Sequence, residues 1–200
     1  MTRLAIFASG SGTNAENIII YFQNKPWISI SCICTNRSDA FVIERVKKYK
    51  IPVLIFSRED FYQTGAVLDY LKQNGTDWII LAGFLWLIPG NLIQSYPSKI
   101  INIHPALLPK FGGKGMYGSR VHEAVINSRE IQSGITVHYV NPEYDKGNII
   151  FQATCPVLPD DTPDTLAVRV HELEYQHYPR IIEQELLRGT STINYQLSTT

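Results

Sequence analysis

The chain has 200 residues, 44% hydrophobic and 18% charged, with 18 Lys and Arg residues against 18 Asp and Glu residues. This length and composition are typical of one globular domain, and the zero net charge disfavours nucleic acid as a partner, because polynucleotide binding usually needs a basic excess. No apolar run is long enough to span a membrane, and the N-terminus lacks the layout of a signal peptide, so we expect a cytoplasmic protein with no membrane partner.

Short apolar runs alternate with longer amphipathic segments in the first half of the chain. The pattern predicts strands at Arg3–Ala8, Ile28–Cys34, Pro52–Phe56, Trp78–Phe84 and Lys99–His104. Between them it predicts helices at Asn14–Gln23, Phe41–Lys50 and Asp60–Asn74. Strands with little polar alternation, separated by helices, are typical of a parallel sheet covered on both faces.

The pattern changes after His104. It predicts a glycine-rich loop, a helix at Arg120–Ser128, two antiparallel strands at Gly134–Val140 and Asn148–Val157, and a long helix at Thr165–Arg188. We therefore expect an α/β fold: a Rossmann-like open sheet, mostly parallel with an antiparallel C-terminal part, and helices on both faces. Residues 1–188 are predicted to form a single domain and residues 189–200 a polar C-terminal tail.

Cysteine and histidine spacing argues against a metal site. None of Cys32, Cys34 and Cys155 fits a metal or redox spacing. Cys32 and Cys34 alternate with Ile33 in an apolar run, which indicates small core residues in a reducing compartment. No pair among the five histidines has zinc-like spacing with a glutamate or cysteine. We predict no metal.

The segment SGSGTN, residues 9–14, lies between the first predicted strand and the first helix. A glycine-rich loop there can direct backbone N–H groups at an anion, and Gly12, Thr13 and Asn14 are the candidate phosphate ligands. The third glycine of the dinucleotide fingerprint is absent, because Ala15 and Glu16 follow, so a monophosphate is favoured. The alternative is a tight turn with Thr13 or Asn14 as the helix N-cap.

The fifth predicted strand ends in the polar residues Asn102 and His104. Side chains alternate along a strand, so both residues point to one face, near the end where open α/β sheets bind ligands. Asp145, in a turn between the last two strands, could orient the His104 imidazole and favour its charged form. The alternative is that Asn102 and His104 only tie down the following loop and that Asp145 is ordinary turn chemistry. His138 is either a structural histidine or a supporting member of the site.

Five segments occur in order between about Arg3 and Pro179: SGSGTN, LAGFLWLI, NIHPALLPKF, GITVHYVNPEYDKGNII and HELEYQHYP. Together they resemble the folate-dependent glycinamide ribonucleotide formyltransferases of purine synthesis. NIHPALLPKF alone is typical of the wider formyltransferase superfamily, and SGSGTN of the purine branch. The resemblance implies direct transfer of a formyl group from the co-substrate 10-formyltetrahydrofolate to the primary amine of glycinamide ribonucleotide, without a metal.

The resemblance also implies the roles of individual residues. The implied catalytic residues are Asn102, which donates to the oxyanion, His104, which moves the proton, and Asp145, which holds the imidazole. The substrate phosphate is implied at Gly12, Thr13 and Asn14, and the rest of the nucleotide at His171 and Glu174. The folate pocket is implied at Arg58, Phe84, Leu85, Trp86, Leu87, Ile88, Val140 and Asn141.

Two segments depart from the family pattern. Trp86 stands where relatives often carry arginine, and the segment GGKGMYGSR is longer than the corresponding loop of the family. Residues 112–119 of that loop could be a mobile lid or an enlarged binding loop.

Two other classes of function remain open at this point. A formyltransferase for methionyl-tRNA would need a basic RNA-binding domain, and a formyl-folate hydrolase usually carries a regulatory domain before the first strand. A non-catalytic nucleotide-binding module would explain SGSGTN but not the convergence of Asn102, His104 and Asp145. We therefore expect small-molecule substrates, and a monomer or a homodimer.

Overall fold

The computed structural model describes the backbone of residues 1–197 and the side chains of residues 1–188. Within that range the strands are β1 (Thr2–Phe7), β2 (Ile28–Thr35), β3 (Val53–Ile55), β4 (Trp78–Leu81), β5 (Ile100–His104), β6 (Gln132–Tyr139) and β7 (Ile149–Pro156). The helices are α1 (Thr13–Phe22), α2 (Val42–Val46), α3 (Arg58–Tyr62), α4 (Ala66–Gln73), α5 (Gly90–Ser95), α6 (Ser119–Asn127) and α7 (Pro163–Leu197).

The described strands form one seven-stranded sheet in the order β3-β2-β1-β4-β5-β6-β7. The pairs from β3 to β5 are parallel, and β6 and β7 are antiparallel to their neighbours. The predicted fold class is confirmed. The chain leaves β1 toward β2 and later returns to β4 on its other side, so the strand order reverses beside β1. In open α/β sheets a crevice forms at the carboxyl ends of the strands beside such a reversal.

Apolar side chains alternate between the two faces of the sheet, as in a doubly covered sheet. Leu4 and Ile6 of β1 pack in one core with α1 and α7, whereas Ala5 and Phe7 pack in the other with α3, α4 and α5. Cys32, Cys34 and Cys155 are buried, free thiols, which confirms the prediction of Cys32 and Cys34 as core residues. None of the described helices is both long and apolar enough to cross a membrane.

Two helix predictions differ from the structure. The helix predicted at Asp60–Asn74 is two helices, because Gly65 adopts a left-handed backbone with φ of 76° before α4, and Ser57 begins α3 with a reciprocal capping box. The last helix runs past Arg188 to Leu197. The predicted polar tail, residues 189–200, lies entirely outside the described side chains, and residues 198–200 lie outside the described residues, so that prediction is untested.

Helix α7 is anchored to the strand ends that form the cavity described below. Tyr178 is fully buried, and its hydroxyl lies 2.8 Å from the Leu81 carbonyl oxygen and 3.2 Å from that of Ile101. A buried hydroxyl shared by two carbonyls of β4 and β5 holds α7 at a defined height above the sheet. This anchoring places one turn of α7 beside the loop that follows β1.

Candidate active site

The carboxyl ends of β1, β4 and β5 open into a cavity of about 610 Å³. Its walls also include the loop between β6 and β7, residues 113–118 and one turn of α7. Ten of the site residues predicted from the sequence line it: Gly12, Thr13, Asn14, Phe84, Leu85, Asn102, His104, Asp145, His171 and Glu174. The fold therefore brings five separate segments of the chain to one cleft.

The loop after β1 ends in the N-terminus of α1 and leaves that terminus without a side-chain cap. Gly12 is the N-cap residue, with φ of 72°, and no side chain accepts a hydrogen bond from the first turn. The alternative prediction of Thr13 or Asn14 as N-cap is therefore wrong. A Cβ atom on Gly12 would lie 2.4 Å from Cγ2 of Val42, so only glycine fits this turn. The uncapped N–H groups and the helix dipole favour an anion here.

The side chain of Asn14 is already engaged across the cavity. Its Nδ2 donates to Oε2 of Glu174 at 2.7 Å, while its Oδ1 is enclosed and has no partner among the described residues. Burial raises the pKa of Glu174, and the His171 ring nitrogen Nε2 lies 3.9 Å from the same carboxylate oxygen. The unpaired atom of Asn14 is an acceptor, so it suits a hydroxyl or an ammonium group rather than a phosphate oxygen. A phosphate would contact Asn14 through its backbone N–H.

Asn102 and His138 face each other across β5 and β6, where they are direct register partners. The His138 Nδ1–H donates to the Tyr139 carbonyl at 2.8 Å, which leaves Nε2 as the acceptor for the Asn102 amide, 3.0 Å away. This bond uses one N–H of the Asn102 amide and fixes the orientation of the side chain. The other N–H of the amide is left for a ligand in the cavity. His138 does not itself line the cavity, so its geometry is that of a support for Asn102.

His104 is 3% exposed and lies between two acceptors. Its Nε2–H donates to the Phe111 carbonyl at 2.8 Å, and its Nδ1 lies 3.6 Å from Oδ2 of Asp145. Burial lowers the pKa of His104, and the Asp145 carboxylate opposes that effect only in part. Asp145 does favour the imidazolium, as the sequence suggests, but desolvation outweighs it. In the resting state His104 is therefore neutral, with Nδ1 free to accept a proton.

Asp145 is held as a carboxylate in a constrained turn. Its φ is 55°, its Oδ2 accepts a hydrogen bond from the Gly113 N–H at 2.8 Å, and its Oδ1 lies 3.6 Å from Nε2 of His138. Burial alone would raise the pKa of Asp145, but its polar neighbours, the Gly113 N–H among them, bring it below its usual range. A negative charge thus persists beside His104. It can stabilise an imidazolium as soon as one forms.

Most residues implied for folate lie beside the cavity rather than in its lining. Trp86 packs in an aromatic cluster with Phe56, Phe61, Tyr62 and Phe84, with ring centroids 5.8–6.4 Å from its own. The Arg58 guanidinium lies 5.7 Å from the Trp86 ring centroid.

Three of the remaining implied folate residues adjoin the core that contains this cluster, and the fourth, Asn141, lies in the loop between β6 and β7. Ile88 is buried in that core and Val140 packs against it. The Leu87 carbonyl accepts from the Tyr62 hydroxyl at 2.9 Å, and Asn141 Nδ2 donates to the Lys146 carbonyl at 3.0 Å. Only Phe84 and Leu85 of this set reach the cavity.

Sequence reasoning missed two buried polar residues of the cavity. Ser9 is 1% exposed, donates to Asn36 Oδ1 at 2.7 Å and accepts from the Leu85 N–H at 3.1 Å, so it joins the loops after β1 and β4. His122 is 2% exposed, and its Nδ1 has no partner among the described residues. Its spacing from Val125 marks the buried face of α6, but that pattern does not distinguish a core histidine from a site residue. No group of three or more potential metal-ligating side chains occurs among the described residues.

Comparison with known proteins agrees with this geometry. Residues 2–182 match the family described as "Formyl transferase". The chain is 36% identical over 191 residues to phosphoribosylglycinamide formyltransferase of Bacillus subtilis, covering 93% of this chain and 95% of that protein. It is 40% identical over 186 residues to the chloroplastic phosphoribosylglycinamide formyltransferase of Arabidopsis thaliana, covering 90% of this chain but only 64% of that protein.

The solved structures agree as well. The crystal structure of phosphoribosylglycinamide formyltransferase from Bacillus halodurans superposes with a TM-score of 0.83 at 35% identity, covering 92% of this chain and 95% of that one. An identity of this size over nearly the full length of a solved relative, together with the family match, leaves no doubt about the family. The chain belongs to the formyl transferase family, among the phosphoribosylglycinamide formyltransferases.

Proposed function

We propose that this protein transfers the formyl group of 10-formyltetrahydrofolate to the primary amine of glycinamide ribonucleotide. One observation carries the proposal: a single cavity joins an uncapped helix N-terminus, suited to a phosphate, to Asn102, His104 and Asp145. The relatives are named for formyl transfer to phosphoribosylglycinamide, which supports this acceptor.

The phosphate end of the substrate supplies binding energy far from the reacting atoms. Glu16, in the first turn of α1, has its pKa lowered to about 2 by Lys48, Arg45 and Tyr49. Its charge is compensated by Arg45 at 2.8 Å and Lys48 at 2.7 Å, so the loop still favours an anion. Binding at this remote point positions the amine at the other end of the cavity and lowers the entropic part of the barrier.

Formyl transfer begins when the acceptor nitrogen attacks the formyl carbon. The C–N bond forms, the carbonyl π electrons move to oxygen, and an oxyanion develops on the tetrahedral adduct. Asn102 holds one amide N–H ready for this oxygen, since its other one is bound to His138. A donor already oriented in the ground state requires no reorganisation during the reaction.

His104 then carries the proton between the two nitrogens. Because the ring is neutral at rest, its Nδ1 can take the proton that the attacking nitrogen loses. The imidazolium forms 3.6 Å from the Asp145 carboxylate, which stabilises it. The imidazolium then gives the proton to the folate nitrogen as the bond from that nitrogen to the formyl carbon breaks.

The aromatic cluster next to the cavity is the best candidate surface for the folate ring system. Phe84 lines the cavity and is also in ring contact with Trp86 at 6.4 Å, so the two regions are continuous. The Arg58 guanidinium, 5.7 Å from the Trp86 ring centroid, is suited to a carboxylate of the folate.

Two further properties belong to the proposal. Cytoplasmic location is supported by three buried cysteines that are free thiols. We propose a monomer or a homodimer, which is the simplest assembly for small-molecule substrates. Light scattering at micromolar concentration measures the mass, and the mass of a larger oligomer would contradict this proposal.

A kinetic comparison tests the activity and separates it from the rivals. Folate turnover that needs glycinamide ribonucleotide supports the proposal, turnover in water alone supports a formyl-folate hydrolase, and binding without turnover supports a nucleotide-binding module. Asn102→Ala should lower kcat/KM by a factor of about 100 or more, equivalent to roughly 3 kcal/mol, if its amide binds the oxyanion.

A double-mutant cycle tests the proton relay. His104→Ala, Asp145→Asn and the double variant should lose activity non-additively, so that the double variant is little worse than His104→Ala. Asp145→Asn is the matched choice because an amide oxygen still accepts from the Gly113 N–H while the charge is removed. Additive losses, or a loss that parallels thermal unfolding, would show that the two residues do not act as a unit.

A further inference from the structure

His122 is a buried polar residue with an unmet hydrogen-bonding capacity. It lies in α6, lines the cavity and is 2% exposed. Three enclosed side-chain atoms lack a partner among the described residues, and two of them, His122 Nδ1 and Asn14 Oδ1, belong to residues that line this cavity. Buried polar atoms are rarely left unpaired in folded proteins, so unpaired atoms grouped at one cavity indicate ligand contacts.

The charge state of His122 limits what it can bind. Burial, with smaller effects from His171 and His104, lowers its pKa to about 4. At neutral pH the ring is therefore uncharged and offers one N–H donor and one lone pair. Such a ring has no charge with which to attract a phosphate. It is suited to a neutral polar group that can both donate and accept.

The position of His122 relates it to both ends of the cavity. His171, beside Glu174, belongs to the nucleotide end, and His104 belongs to the transfer centre, and both line the same cavity as His122. In glycinamide ribonucleotide the group between the ribose and the reacting amine is a secondary amide. That amide has one N–H and one carbonyl oxygen, which complements a neutral imidazole.

We infer that His122 is a substrate-binding residue whose ring hydrogen-bonds the amide linking the amine of glycinamide ribonucleotide to its ribose. The inference rests on the proposed function and assigns a contact to a residue for which the family resemblance implies no role. Through this contact His122 would align the amine with the formyl carbon. It would also favour an acceptor with a glycinamide arm over a bare phosphoribosyl compound.

Steady-state kinetics with matched variants test the inference. His122→Phe fills the same space without polar atoms and should raise KM for glycinamide ribonucleotide at least tenfold, with KM for the folate unchanged. His122→Asn restores an amide donor and acceptor and should recover part of that loss. Ser133→Ala is the control, because the Ser133 hydroxyl is also enclosed and unpaired but does not line the cavity, and it should leave both KM values unchanged.

A truncated ligand shows which part of the substrate is contacted. Ribose 5-phosphate lacks the glycinamide arm, so its inhibition constant should be the same for the wild-type protein and His122→Phe. An equal rise for both ligands would place His122 at the ribose or phosphate and overturn the assignment, as would an unchanged KM for glycinamide ribonucleotide in the folded variant.

An experiment on the wild-type protein tests the inference without requiring that a variant folds. The ring nitrogen NMR signals of His122 should shift when glycinamide ribonucleotide is added but not when ribose 5-phosphate is added. Unchanged signals overturn the inference, even if formyl transfer occurs. Absence of formyl transfer in the wild-type protein would instead overturn the proposed function, and this inference with it.

Discussion

Three glycine-to-alanine substitutions separate the reasons why the loop after β1 needs a glycine. Gly10 has no positive φ and open space around a new Cβ, Gly65 has φ of 76° with open space, and Gly12 has φ of 72° and a contact of 2.4 Å to Val42. An alanine at Gly10 therefore meets neither backbone strain nor a steric clash. At Gly65 it meets backbone strain alone, and at Gly12 it meets both.

The expected free energies of unfolding follow from these differences. Gly10→Ala should be neutral or stabilising by about 0.4–1 kcal/mol, because alanine restricts the unfolded chain. Gly65→Ala places an alanine in the left-handed backbone region, which costs about 1–2 kcal/mol, so the free energy of unfolding should fall by about 1 kcal/mol in total. Gly12→Ala adds overpacking against Val42 of about 1–3 kcal/mol, for a net loss of roughly 2–4 kcal/mol. The backbone Cα of Val42 lies 2.9 Å from the new Cβ, so rotation of the valine side chain does not remove the contact.

Urea unfolding of the three variants measures these values, with KM for each substrate measured on the folded fraction. We expect Gly12→Ala to raise KM for glycinamide ribonucleotide, because a displaced loop no longer directs its N–H groups at the phosphate, and to leave KM for the folate nearly unchanged. If Gly12→Ala destabilises no more than Gly65→Ala, the packing argument is wrong. If the nucleotide KM stays at the wild-type value, the phosphate does not bind this loop.

Two further predictions concern the aromatic cluster and the response to pH. Binding of a folate analogue should quench tryptophan fluorescence, and Trp86→Phe should remove most of the change; equal quenching in the variant would place the folate away from Trp86. The His122 pKa of about 4 in the folded protein lies below its value of about 6.5 in the unfolded chain. Between pH 6.5 and pH 4 the unfolded state therefore binds more protons than the folded state. The stability that is present above pH 6.5 is lost as the pH falls toward 4. The free energy of unfolding should therefore fall by about 2 kcal/mol between pH 7 and pH 5, and His122→Phe should abolish this fall. Urea unfolding at the two pH values measures it, and an unchanged pH profile in the variant would contradict the prediction.

The sequence was sufficient for the fold class because its local signals agreed. Long apolar runs separated by amphipathic segments require a doubly covered sheet, and that sheet has the predicted parallel and antiparallel parts. The errors were local. The sequence pattern predicts one continuous helix through Gly65, which in the structure is the N-cap of α4. Helix α5 (Gly90–Ser95), at six residues, is too short to show a helical periodicity.

The candidate site was predictable to the extent that it depends on local geometry. Asn102 and His104 share a face because strand side chains alternate, and Gly12 follows a strand directly and precedes a helix. The turn between the last two strands pointed to Asp145, and the family resemblance added His171 and Glu174; all three line the cavity. The roles of the implied folate residues stay a prediction, because whether a residue such as Trp86 lines a cavity or packs beside it depends on neighbours far away in the chain.

Sequence by itself determined which side chains stand at the ends of β1 and β5, because strand periodicity and glycine backbone freedom are local properties. Tertiary structure alone decided the chemistry between distant segments: the bond of Asn14 to Glu174, the 3.6 Å separation of His104 and Asp145, and the unpaired nitrogen of His122. It also decided that His104 is neutral at rest. The charge state of an imidazole is a balance between desolvation and nearby carboxylates, and both are set by how the folded chain surrounds the ring.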